Sequence, residues 1–140
     1  MKKLFTLLAL TISFSMNAQM SDNSSGTSAT GTNAVAMGGD TTASGDYSTA
    51  MGAISTASGS RSTAMGWSTT ASGNYSTAIG HSTAASGHYS TAMGWGTTAS
   101  GTFSTAMGRS TTAIGNSSTA MGGYTTASGD YSTAMGSFTT

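Results

Sequence analysis

Small, hydroxyl and bulky positions return along this chain every fourteen residues, and no insertion or deletion breaks that period from residue 36 to residue 140. Each unit carries two triplets. Ala50-Met51-Gly52 has copies at Ala36-Met37-Gly38, Ala64-Met65-Gly66, Ala78-Ile79-Gly80, Ala92-Met93-Gly94, Ala106-Met107-Gly108, Ala120-Met121-Gly122 and Ala134-Met135-Gly136. Half-way between copies stands a triplet such as Ala43-Ser44-Gly45 or Ala71-Ser72-Gly73, so Ala and Gly recur every seven residues. Each half reads as a short strand followed by a Gly corner: Tyr47 to Met51 before Gly52, and Thr41 to Ser44 before Gly45. Two strands and two corners per unit predict an all-β fold, a parallel β-solenoid whose fourteen-residue coils stack about 4.8 Å apart.

Strand alternation then assigns faces. Ser48, Ala50 and Gly52 oppose Tyr47, Thr49 and Met51, while Thr41, Ala43 and Gly45 oppose Thr42 and Ser44. The small columns shared by both strands are expected to meet inside a thin coil, with Ser48 and Thr41 near the corners, their hydroxyls bonded to turn backbone. The outer faces then differ: Thr42 and Ser44 with their copies form a hydroxyl surface, and Met37, Met51, Met65, Ile79, Met93, Met107, Met121 and Met135 form an apolar ladder. An apolar ladder on one outer face implies a partner, here other copies of the chain. The alternative, with Met51 and Thr49 turned inward, gives a fatter coil able to stand alone. A coiled coil is excluded, because a Gly at every seventh position costs a helix about 1 kcal/mol each time.

Composition changes the picture at one end. Lys2 and Lys3 precede an apolar run from Leu4 to Phe14, and Asn17-Ala18-Gln19 offers a cleavage site. Residues 1–18 therefore read as a secretory signal, too short in its apolar part to span a bilayer. Residues 19–35 are Ser/Thr/Gly/Asn-rich and fit the period loosely, as a degenerate first coil or cap does; residues 36–140 hold seven full coils and a half. After the leader, Asp22, Asp40, Asp46 and Asp130 face only Arg61 and Arg109, a net charge of minus two. Nothing basic remains to hold nucleic acid through its phosphates. With Cys 0, an exported chain has no disulfide to stabilise it.

At these residues the sequence is similar to a known family. Asn33-Ala34-Val35-Ala36-Met37-Gly38, Ser76-Thr77-Ala78-Ile79-Gly80 and Thr69-Thr70-Ala71-Ser72-Gly73 resemble the head repeats of YadA-like trimeric autotransporter adhesins, from Gly31 to Thr140. The resemblance implies a left-handed parallel β-roll, a homotrimer around one axis and a role in bacterial surface attachment. Thr49, Thr63, Thr77 and Thr91 stand where the family prefers Val, which makes the expected trimer contact more polar. Neither a coiled-coil stalk nor barrel strands follow within these residues. The chain is therefore expected to be a fragment, or secreted unless a stalk and anchor hold it at the cell surface or outer membrane.

Candidate chemistry is sparse. A hydrolase needs a base within reach of its nucleophile, and the only histidines, His81 and His88, fall on opposite corners of a coil. Asp40 and Asp46 are similarly half a coil apart, and the calcium-binding Gly-Gly-x-Gly-x-Asp repeat is missing. Neither catalysis, a cofactor nor a metal is expected. The column after the Met-side Gly instead places Trp67, His81, Trp95 and Arg109 on successive coils, an exposed aromatic strip at a corner that is a candidate surface for matrix protein, glycan or another cell. A second column on the Met side, Tyr47, Arg61, Tyr75, Tyr89, Phe103, Ser117 and Tyr131, is expected to rim the contact between chains. A non-enzymatic adhesin head is the leading reading. An ice- or water-ordering protein using the Thr42 and Ser44 array is the alternative, and thermal hysteresis separates the two.

Overall fold

The computed structural model describes Met20–Ser21 and residues 26–140, so the leader assigned to residues 1–18 lies outside the described residues. Each coil contributes one five-residue and one two-residue strand. The long strands, after an edge strand at Met20–Ser21, are Val35–Gly39, Thr49–Ala53, Thr63–Trp67, Thr77–His81, Thr91–Trp95, Thr105–Arg109, Thr119–Gly123 and Thr133–Ser137. The short ones are Ser28–Ala29, Thr42–Ala43, Thr56–Ala57, Thr70–Ala71, Ala84–Ala85, Thr98–Ala99, Thr112–Ala113 and Thr126–Ala127. Beyond the two-residue edge strand, long strands pair only with long and short only with short, in chain order, giving a nine-stranded sheet that includes that edge strand and an eight-stranded one. Every pairing is parallel and offset by one coil, so Ala50 faces Ala64, Met51 faces Met65 and Ala53 faces Trp67. At the first coil Met20–Ser21 pairs with Val35–Ala36, and Ser28–Ala29 with Thr42–Ala43. The fold is a parallel β-solenoid with no helix among the described residues.

Alternation settles what fills the coil. The Ala column from Ala36 to Ala120 has no exposed surface, and neither do Thr41 and Ser48 between the two sheets. Thr49 and Met51, on either side of buried Ala50, are half-buried, and Met37 and Met65 are more open still. The methionines therefore lie outside, and the inward-Met alternative is not the one this chain adopts. Size explains the choice: two Ala columns facing each other bring the sheets close, which leaves no room for a thioether chain.

Two expectations about the corners need correction. Gly52 is not a corner but the fourth residue of its strand, at φ 112. A Cβ there would run into the carbonyl oxygen of Gly66, and one on Gly45 into that of Gly59. These columns are Gly because successive coils touch backbone to backbone. The bends themselves are made by side-chain-bearing residues in the left-handed region, Tyr47 at φ 57 and Ile54 at φ 55. Each is held by its N–H donating to the preceding coil, Tyr47 to the Thr32 carbonyl at 2.7 Å and Ile54 to that of Gly39 at 2.9 Å. Tyr47 also sits in a turn closed by the Ser48 N–H on the Gly45 carbonyl at 3.1 Å.

The buried hydroxyls also depart from expectation. Ser90 Oγ does donate to the Gly87 carbonyl of its turn at 2.7 Å, and Thr69 Oγ1 donates to Ser55 Oγ of the preceding coil at 2.8 Å. Thr41, Ser48, Ser62 and Ser76, by contrast, have hydroxyls with no partner. All four are fully buried, and Ser48, Ser62 and Ser76 close their turns through the backbone N–H while the side-chain hydroxyl takes no part.

Candidate functional site

Where the long strand meets its corner, side chains stack along the rod. Trp67 and His81 are parallel with ring centroids 4.6 Å apart, and His81 and Trp95 follow at 6.1 Å. The Arg109 guanidinium carbon lies 5.4 Å from the Trp95 ring centre. The four candidate residues are thus brought together as one continuous line, from the ends of four in-register strands rather than from a free corner tip. Such contacts add roughly 0.5–1.5 kcal/mol per aromatic pair and about 0.5–1 kcal/mol per exposed cation–π pair.

The line runs further than the column. The next residue in register is Gly123, and Tyr124 from the neighbouring position takes the vacant place, 5.2 Å from Arg109, with Phe138 stacked on it at 5.0 Å. Column-by-column reading missed both; the signal was an aromatic residue one place after the strand-end column, behind Gly123 and Ser137.

The opposite corner carries a second line. Arg61 sits between the rings of Tyr47 and Tyr75, at 5.0 and 5.4 Å, and Tyr75, Tyr89 and Phe103 continue it at 4.8 and 5.0 Å. These residues occupy the left-handed turn position, with Tyr89 and Phe103 at least half exposed. One residue earlier, carboxylate and amide side chains reach back to the preceding coil. Asp46 Oδ1 accepts from the Thr32 N–H at 2.9 Å, Asn74 Oδ1 from Ser60 at 3.0 Å, and Asp130 Oδ1 from Asn116 at 2.8 Å. These locks were not anticipated; the recurrence of Asp and Asn at one fourteen-residue position was the available sign.

The histidines stay apart: His81 is inside the first line, while His88 lies in the opposite turn next to Tyr89. Among the described residues no three His, Cys, Asp or Glu side chains gather into a metal-binding group, and no helix is long and apolar enough to cross a membrane. Outside the coil the long-strand sheet carries Met51, Met65, Ile79, Met93 and Met107 in consecutive register.

The family model for the YadA head domain repeat, two copies at a time, matches residues 29–53, 57–83, 85–111 and 112–139. The chain belongs to the YadA head family. The matched segments lie end to end through the coils described above, so the family's repeat and the structural coil are the same unit. Heads of the YadA family are trimeric, surface-exposed adhesins. No curated protein matches the chain at a significant level.

Proposed function

We propose that this YadA-family head is a non-enzymatic attachment module, assembled as a homotrimer and displayed at the bacterial surface. Its outer lines would contact matrix protein, glycan or other cells. The observation that carries this reading is the ladder from Met37 to Met135, interrupted in kind only by Ile79, standing in register outside a coil already filled by Ala, Ser and Thr. A solenoid this thin has no large side chain in its interior, so the apolar surface left to bury is on that ladder. In the proposed trimer, Met37, Met51, Met65, Ile79, Met93, Met107, Met121 and Met135 face the shared axis. Trp67, His81, Trp95 and Arg109 then form the attachment surface. The ice- or water-ordering alternative has weaker support, since most of the Thr column is half-buried and Ala84 and Ile114 interrupt the array.

Charge placement tests the assembly. Replacing Met65 and Met93 by Asp is expected to place unpaired charge where chains meet, at roughly 3 kcal/mol or more apiece. Sedimentation equilibrium should then find monomer, and circular dichroism a weakened β signal. Ser72→Asp with Ser100→Asp, on the hydroxyl face, should leave the trimer intact. A wild-type chain that is monomeric and fully folded refutes the assignment.

A further inference from the structure

Trp67, His81, Trp95, Arg109, Tyr124 and Phe138 make a single line of rungs, roughly 24 Å from end to end at about 4.8 Å per coil. Except at its two ends, every rung has a neighbour on each face, at separations from 4.6 to 6.1 Å. A ring with both faces covered cannot stack on a sugar or a base. Recognition along the line therefore uses edges.

At Trp67, Trp95 and Arg109 those edges only donate, whereas His81 and Tyr124 can also accept. An indole N–H donates and accepts nothing, and a guanidinium has five donors and no acceptor. Among the described residues the indole N–H groups of Trp67 and Trp95 have no hydrogen-bond partner in the chain, and about half of each residue is open to solvent, 47% and 49%. The rim of an aromatic ring also carries the positive end of its quadrupole. Arg109, with a ring on either side, keeps its N–H fork at one place on the line, where it matches a planar carboxylate or a sulfate.

Given the attachment role proposed above, we propose that this line binds a linear acidic polysaccharide laid along the rod. A carboxylate or sulfate sits on Arg109, and further acceptors of the polymer take the indole N–H edges. A neutral glycan brings no charge to match the Arg109 guanidinium, and its hydroxyl donors find acceptors in the line only at His81 and Tyr124. A nucleic acid needs free ring faces for its bases, which the covered rungs of this line do not offer. One rung per coil suits a polymer with a repeating acceptor.

The test is biolayer interferometry of the assembled chain over polygalacturonate, dextran sulfate and uncharged dextran. Retention is expected on the two acidic polymers and not on dextran, and the stronger of the two names the acidic group. Arg109→Gln should weaken binding about tenfold, with part restored by Arg109→Lys. Trp67→Phe with Trp95→Phe keeps the stack and removes both N–H donors; it should cost about threefold in affinity with the melting temperature unchanged. Equal retention on dextran, or an Arg109→Gln chain that binds like wild type, overturns the acidic ligand. If beads coated with the chain adhere to cells or matrix while neither acidic polymer is retained, the ligand class falls and attachment stands. Beads that adhere to nothing overturn attachment itself.

Discussion

The two corners of each coil carry similar stacks on different backbones. At the turn, Tyr47, Arg61, Tyr75, Tyr89 and Phe103 all sit at φ between 56 and 58, inside a hydrogen-bonded turn whose preceding side chain often ties down the neighbouring coil. At the strand end, Trp67, His81, Trp95 and Arg109 lie on ordinary strand backbone, and their line shifts to Tyr124 where Gly123 leaves a gap. A left-handed conformation disfavours any residue with a Cβ by about 1 kcal/mol or more, so stacking at the turn offsets a local cost. From Trp67 to Arg109 the strand end has no such cost, which enters only at Tyr124 and Phe138, both at φ 55, and Gly39, Ala53, Gly123 and Ser137 hold the strand-end position without disturbing the register. The turn line therefore supports the fold, while the strand-end positions are free to vary without loss of register.

The largest expected effect leaves the corners indistinguishable. Gly73→Ala opens the turn corner and Gly66→Ala precedes Trp67 at the other, and in both the new Cβ meets a carbonyl oxygen of the next coil. Each should destabilise by about 3 kcal/mol or more, read as a fall in the thermal midpoint. If only one is harmful, the coils do not touch equally along both sheets.

A smaller effect should separate the corners by sign. Tyr89→Ala and Trp95→Ala each remove a rung with two stacked neighbours. At position 89 Gly should then be better than Ala by about 1 kcal/mol, because the backbone is left-handed. At position 95 Gly should be worse than Ala by about 0.5–1 kcal/mol, because the backbone is a strand. Denaturant midpoints of the four variants decide it, and the same sign at both positions breaks the comparison. The smallest effect belongs to the turn alone. Asn74→Ala should release the Ser60 N–H, costing about 0.5–1 kcal/mol and speeding amide exchange at Ser60 while the N–H of Ser68, at the other corner, stays protected.

Much of this architecture was legible because period and size carry it. Ala43 and Ala50 mark the interior in both halves, and the lone large residue at Met51 is left outside. The bends were misplaced because Gly52 was taken for conformational freedom, whereas its column answers to the close approach of Gly66. Tyr47 and Ile54 gave no warning of a left-handed backbone, since that conformation is imposed by hydrogen bonds from the adjacent coil. The candidate strip was visible as far as Arg109, where strict columns hold. Its continuation through Tyr124 depends on a side chain leaning across to a vacant rung, which spacing does not encode.

The interior built from Ala, Gly, Ser and Thr has one more consequence, for winding. Its columns recur every seven residues although the coil needs fourteen. A strand half a coil out of step would still place Ala on Ala and Gly on Gly, and inside the coil it only sets the buried Thr column of Thr41 on the buried Ser column of Ser48, so the core rejects that error weakly. The outside differs far more: such a slip sets Met51 beside Ser58 and breaks both lines of stacked side chains. Proofreading of the nascent solenoid thus falls to its surface, the reverse of a globular domain, where the core selects the register and the exterior follows.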